Sequence, residues 1–358
     1  MLSIDVLTRN AVDVLQELIR IPSISRNEEE AANYVFNYLT QQGAQPKRHN
    51  NNVWCEQPVP KGNRPTLLLN AHIDTVKPAA SWVHAPFMPT IEGDRLYGLG
   101  SNDCGGGLVS LMQVFLALKD DESLPYHLIF LASAEEEVSG KNGIESALPL
   151  LPPIDVAIVG EPTGMQPAVA EKGLMVLDCT THGRSGHAAR NEGINAIYKA
   201  LPYIEWFRTY QFDQQTNLLG PVKMSVTMVS AGTQHNVVPD TCQFVVDVRA
   251  NECYTNEELL ATIRRHLPDC DIVPRSTRLH SSRIALDHPL VQAAIAQGRQ
   301  PFGSPTLSDQ ALMRFPSFKM GPGNSARSHT AEEFIAISEI REAIEMYINL
   351  FRFGFSQT

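Results

Sequence analysis

Side chains that can bind metal ions recur in this 358-residue sequence, each after a short apolar run or within a glycine-containing loop. His72 and Asp74 follow TLLLNA, Asp103 follows LYGLGSN, three glutamates follow LIFLASA, Glu161 follows VAIVG, and His329 lies in GPGNSARSHT. Each of these residues alone has an ordinary explanation as a capping or solvated group. Five separate segments that all carry carboxylates or imidazoles together favour a metal site.

The mixture of ligand types indicates which ions would bind and what they would do. Imidazole is a softer donor than a carboxylate oxygen, so two histidines with three carboxylates favour zinc, cobalt or manganese over calcium or magnesium. Asp103 lies in the glycine-rich turn SNDCGGG, where small neighbours would let its carboxylate bridge two ions. Two ions about 3.5–4 Å apart can share a water molecule, lower its pKa and polarise a carbonyl group. The sequence therefore predicts metal-assisted hydrolysis with two divalent ions as cofactors.

Asp74 is predicted to orient His72 and not to bind an ion itself. Positions i and i+2 of an extended segment face the same way, so the Asp74 carboxylate could accept the second ring N–H of a metal-bound His72. Such a hydrogen bond fixes the tautomer of the imidazole and makes the ring a better ligand.

The elements that must position these residues read as an α/β fold. The runs TLLLNAHID, HLIFLASAEEE and DVAIVGEPT are typical of strands buried on both faces, and GGGLVSLMQVFLALK is typical of a crossover helix. Two amphipathic helices precede them, the second from about residue 28 to 42. A mixed sheet between helices is expected, and ligands of such sheets collect at the carboxyl ends of the strands. Asp103, after the run LYGLGSN, is expected at such a strand end as well.

A second domain is predicted in the middle of the chain. From about Gly173 the runs LMVLDCTTHG, KMSVTMVSAG and CQFVVDVRAN alternate in polarity, with helical stretches near 192–210 and 256–266. This order of strands and helices is typical of a ferredoxin-like α+β unit. We therefore predict a discontinuous catalytic domain, 1–172 and 285–358, interrupted by an inserted domain, 173–284.

Composition excludes several classes of partner. The formal net charge is −10 and no cluster of lysine and arginine is present, which argues against nucleic-acid and membrane partners. No signal-peptide pattern and no apolar run of roughly 18 residues occurs. The six cysteines form no CxxC pair and read as reduced thiols. A cytoplasmic enzyme acting on a small molecule is expected.

Seven motifs occur along the chain in the order HIDTV, GLGSNDCGGG, AEEEVSG, GEPTG, GRSGHAA, GTQHNVVPD and SHTAEEF. Together they resemble the two-zinc metallopeptidase family of acetylornithine deacetylase, succinyl-diaminopimelate desuccinylase, carboxypeptidase G and aminoacylase. The resemblance is strongest to acetylornithine deacetylases, among them a branch expected to take N-succinylornithine. It implies hydrolysis of the amide bond of a small N-acyl amino acid, in arginine biosynthesis, by a homodimer whose inserted domain acts as a lid and dimerisation domain.

The resemblance also implies how the ligands are shared between the two ions. His72 and Glu161 would hold one ion, Glu137 and His329 would hold the other, and Asp103 would bridge them. Zinc is the expected metal, with cobalt or manganese as alternatives.

The general base implied by the resemblance is Glu136. The acidic triplet of the family is usually Asp-Glu-Glu, and it aligns to residues 135–137 because Val138 and Gly143 then fall at the positions that follow it. A shift of one residue would instead make Glu135 the base and Glu136 the ligand. The register of this triplet stays open at the level of sequence.

Further roles implied by the resemblance concern the substrate. His187 in GRSGHAA would approach the oxyanion from the partner subunit of the dimer. Arg249 and Asn236 would reach the α-carboxylate of the substrate or the oxyanion. Gly323 would allow close approach of the backbone to the ligand, with a simple turn as the alternative explanation.

The segment LGSNDCGG departs from the family pattern around the bridging aspartate. The thiol of Cys104 is expected to pack in the core, with metal binding or oxidation as alternatives. Motifs near the metals do not separate a deacetylase from a desuccinylase, a dipeptidase or another aminoacylase. A catalytically inactive binding protein with the same fold is the alternative from another class.

Overall fold

The computed structural model describes residues 2–190 and 192–353, which form two compact units. The first unit contains the residues up to Val169, Arg283–Phe302 and the residues from Ser308 onward. The second unit contains Ala170–Ser282 and Gly303–Leu307. No helix in the described ranges combines the length and the apolar character needed to cross a membrane.

The helices of the described chain are labelled in chain order. They are α1 (Ile4–Arg20), α2 (Glu29–Gln41), α3 (Gly106–Leu118), α4 (Ile144–Ala147), α5 (Ala196–Thr209), α6 (Asn256–His266), α7 (Pro289–Ala296) and α8 (Ile337–Phe353).

The strands are labelled in the same way. They are β1 (Lys47–His49), β2 (Asn52–Glu56), β3 (Thr66–His72), β4 (Thr90–Glu92), β5 (Arg95–Tyr97), β6 (His127–Ser133), β7 (Val156–Val159), β8 (Ala168–Glu171), β9 (Met175–His182), β10 (Gly186–His187), β11 (Lys223–Ala231), β12 (Val237–Val238), β13 (Thr241–Arg249), β14 (Cys270–Pro274), β15 (Ser282–Arg283), β16 (Phe302–Ser304), β17 (Ser317–Lys319) and β18 (Phe334–Ala336).

A mixed sheet forms the centre of the first unit, with strand order β1-β2-β6-β3-β7-β17-β8-β15 and β16 paired to β8. Strands β3, β6, β7 and β17 run parallel, while β1, β2 and β8 pair antiparallel to their neighbours. Every residue of β3 and β6 is buried, since α3 packs on one face and α4 joins the apolar cluster on the other. The α/β fold predicted from these apolar runs is confirmed.

The register of the parallel strands brings their carboxyl ends together. His72 at the end of β3 pairs with Ser133 at the end of β6, and Asn70 pairs with Val159 at the end of β7. The residues that follow these three strands therefore emerge at one edge of the sheet.

The second unit contains a four-stranded antiparallel sheet of order β11-β13-β9-β14. Its chain order is β9, α5, β11, β13, α6 and β14, which is the ferredoxin-like arrangement. Buried side chains of β9 alternate with partly exposed ones, and those buried residues share a core with α5 and α6. The ferredoxin-like prediction is confirmed, and β14 adds a strand that the polarity pattern had not indicated.

The expected strand before Asp103 is different in the structure. Only Leu96 and Tyr97 of the run LYGLGSN lie in a strand, β5, which pairs with β4 and β18 in a separate three-stranded sheet. Asp103 lies in an irregular turn at Ser101–Gly105 that leads into α3. Its position at the end of a strand of the main sheet was therefore predicted wrongly, because Gly100 adopts a left-handed conformation with a φ of 75° and turns the chain before Asp103.

Candidate metal centre

One half of the metal-binding cluster is buried and built around His72. The His72 side chain is 1% exposed, and its Nε2 lies 3.3 Å from Asp103 Oδ1 and 3.6 Å from Glu161 Oε1. Two ligands bound at about 2.0–2.2 Å to a tetrahedral ion lie roughly 3.3–3.6 Å apart. The spacing of these three atoms therefore suits a shared ion.

The other half is built around His329 and is called the exposed half after this histidine, since its partner Glu137 is only 8% exposed. The His329 side chain is 54% exposed, and its Nε2 lies 2.9 Å from Glu137 Oε2 and 3.6 Å from Asp103 Oδ2. The two oxygens of Asp103 thus face different histidines, Oδ1 towards His72 and Oδ2 towards His329. A carboxylate in this orientation is arranged to bridge two ions.

The unsatisfied groups of the cluster fit bound cations. Glu161 Oε1 is buried and has no hydrogen-bond partner within the described part of the chain. Ligand atoms of His72, Asp103 and Glu137 all lie within 4.8 Å of one another. Buried polar atoms without partners are unfavourable, and a divalent cation would satisfy Glu161 and offset the negative charge of the cluster. The residues present therefore fit two ions.

Burial changes the protonation of the cluster in the absence of metal. Burial, and to a lesser degree the negative charge of Asp103, raises the pKa of Glu161 to about 8. Burial also raises the pKa of Glu136 well above its ordinary value. A hydrogen bond to the Glu137 carboxylate raises the pKa of His329 to about 9. The metal-free cluster therefore holds protons near neutral pH that bound cations would replace.

Asp74 contacts His72 through a different atom from the one expected. His72 Nδ1 lies 2.8 Å from the backbone carbonyl oxygen of Asp74 and 3.5 Å from its carboxylate. The carboxylate instead accepts hydrogen bonds from the backbone N–H groups of Glu136 and Glu137 and from Ser25 Oγ. These three donors occupy the Asp74 side chain, so Asp74 orients the imidazole by its main chain and the glutamate turn by its side chain.

Two carboxylates of the glutamate triplet, those of Glu135 and Glu137, have different partners. Glu135 has a positive φ of 55°, and its carboxylate accepts hydrogen bonds from the backbone and side-chain nitrogens of Asn142. Glu137 faces His329. The next residue towards the N-terminus, Glu136, is partly buried. The contact between Glu137 and His329 agrees with a ligand role for Glu137, and the base role of Glu136 stays a prediction.

Glu333 holds the turn that carries Asp103, and the motif analysis did not single it out. Its carboxylate accepts hydrogen bonds from the backbone N–H groups of Gly100, Asn102 and Asp103, at 3.2, 2.8 and 2.9 Å. Glu333 is buried, and burial raises its pKa to about 7 against the three N–H groups that lower it. The two glutamates of SHTAEEF were the available signal, but the sequence does not tell that Glu333 is buried and Glu332 is partly exposed.

A second buried carboxylate lies beneath the cluster. Ser133 Oγ donates to Asp309 Oδ2 at 2.6 Å, and the Asn70 amide lies 2.9 Å from Ser133 Oγ. Burial raises the pKa of Asp309 to about 6. This network links β3, β6 and the segment before β17 under His72, and no sequence motif pointed to it.

Gly323 serves the packing of the cluster. It has a φ of +88°, and a Cβ at this position would meet Asn102 Oδ1 at 2.3 Å and Ile335 at 2.9 Å. The absent side chain therefore permits close approach between two protein segments. Contact of Gly323 with a ligand stays a prediction.

The remaining predicted residues lie in the second unit. His187 is exposed on β10, which pairs with β12, and Ala188 N–H donates to the carbonyl oxygen of Asn236. His187 and Asn236 are thereby brought side by side. Arg249, at the end of β13, makes two hydrogen bonds with the carboxylate of Asp247, at 2.8 and 3.1 Å. The guanidinium is engaged within its own strand, and the substrate roles of these residues stay predictions.

Comparison with proteins of known structure supports the same fold over nearly the whole chain. Aminopeptidase PepT from Bacillus cereus is 18% identical with a TM-score of 0.76, and the match covers 97% of this chain and 98% of that chain. An M20 family metallo-carboxypeptidase from Sulfolobus solfataricus is 18% identical with a TM-score of 0.75 over 96% and 99%. A dinuclear metal-binding M20 peptidase from Bacillus subtilis is 17% identical with a TM-score of 0.73 over 97% and 98%.

A family model decides the assignment. The model described as peptidase family M20/M25/M40 matches residues 68–352, a range that includes all five predicted metal ligands. The structural neighbours include dinuclear metal-binding peptidases of that family. The chain belongs to peptidase family M20/M25/M40, as an enzyme of the metallopeptidase and amidohydrolase type.

Proposed function

We propose that this enzyme hydrolyses the amide bond of a small N-acyl amino acid, N-acetylornithine or N-succinylornithine, to ornithine and the free acid in arginine biosynthesis. The observation that carries the hydrolytic part is the two-sided orientation of Asp103 between His72 and His329. Glu136 directly precedes the candidate ligand Glu137 in the sequence. The order of the seven motifs and their residues support the choice of an acylated ornithine as the substrate.

Glu136 is the proposed proton carrier. When bound, two divalent ions would supply Lewis acidity to the amide carbonyl and lower the pKa of the attacking water. The Glu136 carboxylate would accept the proton of that water and pass it to the nitrogen of the leaving amine. Asp74 fixes this group in place, since its carboxylate accepts the backbone N–H groups of Glu136 and Glu137.

The second unit is proposed to contact the substrate. His187 would donate a hydrogen bond to the oxyanion, and Asn236 lies close by, in the turn that precedes the neighbouring strand β12. Arg249 would bind the α-carboxylate of the amino acid, because a guanidinium donates two parallel hydrogen bonds to a carboxylate. Its present contact with Asp247 means that the substrate carboxylate would share or replace that partner.

Dimer formation is proposed on the exposed side of the second unit. Strand β11 is the edge of its sheet, and it exposes Met228 and Val229, while the adjacent α5 exposes Tyr198 and Leu201. Exposed apolar residues on an unpaired edge strand favour pairing with another chain. His187 would then be supplied to each site by the partner subunit. Light scattering should give the mass of a dimer, and Val229→Lys should shift it towards the monomer.

Metal and location are also part of the proposal. Zinc suits the mixed imidazole and carboxylate set, with cobalt or manganese as substitutes. A cytoplasmic enzyme without nucleic-acid or membrane partners is proposed from the net charge of −10 and the absence of clustered basic residues in the sequence.

Hydrolysis of short peptides is the second candidate. Several solved structures with this fold bear names of peptidases, including aminopeptidase PepT and a tripeptidase from Staphylococcus aureus. A succinyl-diaminopimelate desuccinylase or another aminoacylase would use the same metal cluster.

A substrate panel on zinc-loaded enzyme separates these candidates. We expect kcat/KM to be highest for N-acetylornithine or N-succinylornithine, and lower for N-succinyl-diaminopimelate, dipeptides and tripeptides. Glu136→Gln protein, loaded with zinc in the same way, is the control for contaminating hydrolases. Higher kcat/KM on a peptide than on either acylated ornithine would replace the proposed substrate class.

A further inference from the structure

The thiol of Cys104 lies next to the buried half of the metal cluster. Cys104 directly follows the bridging Asp103, and its side chain is buried. Donor atoms of His72, Cys104 and Glu161 all lie within 4.8 Å of one another. Nitrogen, sulfur and oxygen donors from three separate segments thus meet at one point.

The hydrogen-bond contacts of this thiol are with His72. One of them is with the carbonyl oxygen of His72, at an Sγ–O distance of 3.8 Å, and thiols are weak donors. Across the same space, buried Glu161 Oε1 lacks any hydrogen-bond partner in the described ranges. An oxygen without a partner that faces a sulfur and an imidazole nitrogen is an independent indication that a cation belongs between them.

The other buried cysteine of the first unit provides a contrast. Cys55 is equally buried, on β2 within the sheet. Among the described residues, the groups of potential metal ligands include Cys104 and do not include Cys55. Burial is common to both thiols, whereas proximity to His72 and Glu161 distinguishes Cys104.

We propose that Cys104 supplies a sulfur ligand to the ion held by His72 and Glu161. The S–H bond would break as the sulfur–metal bond forms, and the proton would leave to solvent. The buried position would then have imidazole, thiolate and carboxylate ligands together with one oxygen of Asp103. Thiolate is a soft donor, so this position would select zinc or cobalt over manganese, while the exposed position would not.

Cobalt is the direct probe, because a thiolate bound to Co(II) gives a near-ultraviolet charge-transfer band that oxygen and nitrogen ligands do not give. Chelated wild-type protein is titrated with Co(II) to two ions per chain, verified by metal analysis. We expect the band to grow with one of the two ions. We expect it in Cys55→Ser, the matched buried control, and not in Cys104→Ser or Cys104→Ala.

The sulfur ligand rests on the metal cluster of the proposed hydrolase. The possible outcomes distinguish failure of the ligand from failure of the hydrolase. Two bound cobalt ions without a thiolate band in wild type, or a band that persists in Cys104→Ala, would overturn the sulfur ligand and leave the hydrolase intact. Failure of the wild type to bind cobalt at all would overturn both.

Metal selectivity gives a second readout that does not depend on a spectrum. In chelator competition, Cys104→Ser should lose at least roughly tenfold in affinity for the tighter zinc ion and change little in affinity for manganese. An equal loss for both metals would indicate a general disturbance of packing and would contradict a sulfur ligand.

Discussion

The two halves of the metal cluster differ in how the protein encloses them. His72 is 1% exposed and its ring is fixed by the backbone carbonyl of Asp74, whereas His329 is 54% exposed and contacts Glu137. His72 ends a fully buried strand, while His329 lies in a loop with a φ of +60°. The buried half is therefore built into the core, and the exposed half is assembled on it from a loop.

Because of this difference, we expect the two ions to differ in how tightly they are held and in what they do. An ion in the buried half would be retained and would stabilise the fold. An ion in the exposed half would exchange more readily and would lie where substrate can approach. Asp103 connects the two halves, since each of its oxygens faces one of the histidines.

Glu136→Gln should have the largest effect on activity. The two halves of the cluster bind the ions, whereas proton transfer is assigned to Glu136, which lies in neither half. We expect kcat to fall by about 10²–10⁴-fold, while both ions stay bound. Steady-state kinetics with metal analysis measures both quantities. Glu135→Gln is the matched control, since Glu135 bonds Asn142, and it should keep kcat within about tenfold. Loss of an ion in Glu136→Gln would place this residue among the ligands.

His72→Ala and His329→Ala should differ most in their effect on the free energy of unfolding. In the metal-free protein, His72→Ala opens a cavity in the core and should cost about 2–5 kcal/mol of unfolding free energy, whereas His329→Ala removes an ion pair of an exposed side chain with Glu137 and should cost about 0–1 kcal/mol. Urea unfolding measures the difference. In the zinc-loaded protein, His329→Ala should keep one tight ion per chain. Equal destabilisation by both substitutions would contradict the claim that His72 belongs to the core and His329 to an exposed loop.

Glu333→Gln should weaken both halves together, because Glu333 holds the turn of the residue they share. An amide accepts fewer hydrogen bonds than a carboxylate, so the three N–H groups at Gly100, Asn102 and Asp103 would lose part of their support. We expect about 10–100-fold weaker binding of each ion, measured by chelator competition. Glu332→Gln is the control, since Glu332 contacts Val83 and His84 and should leave metal affinity unchanged.

The stability of the metal-free protein should depend on pH, because several ionisable groups in and around the cluster have raised pKa values. The pKa values of Glu161, Glu333 and Asp309 are raised to about 8, 7 and 6, and that of His329 to about 9. Each raised value contributes stability that is complete below the ordinary pKa and is lost as the pH rises through the folded value.

The Tm of chelated protein should therefore fall between pH 6 and pH 9, by roughly 2–4 °C for each kcal/mol lost. The gain in Tm on adding zinc should grow over the same range, because fewer protons compete with the ion. Differential scanning calorimetry at matched ionic strength measures both. A Tm of the metal-free protein that rises from pH 6 to pH 9 would contradict this assignment of charges.

Local sequence patterns predicted most of the fold. Apolar runs that end in polar residues identified β3, β6 and β7, and alternation identified β9, β11 and β13. The parallel register then brought His72, the glutamate turn and Glu161 to one edge. The short pairing of β5 with β4 and β18 was not predictable, because three-residue strands carry almost no periodicity.

The parts of the site that were not predictable depend on contacts distant in sequence. Glu333 caps a turn some 230 residues earlier in the chain, and Asp309 meets Ser133 across 176 residues. Asp74 was expected to act through its side chain, but only the folded turn shows that three other donors occupy that carboxylate. Residue type and spacing identify ligand candidates, whereas the groups that support them appear only once the chain is folded.

Anomalous diffraction from crystals of the zinc-loaded enzyme would locate the bound ions themselves. The two-half cluster predicts two zinc peaks in each chain. One peak should contact His72 and Glu161, the other Glu137 and His329, and Asp103 should contact both. A single peak at full occupancy, or two peaks that do not share Asp103, would rule out a pair of ions bridged by Asp103.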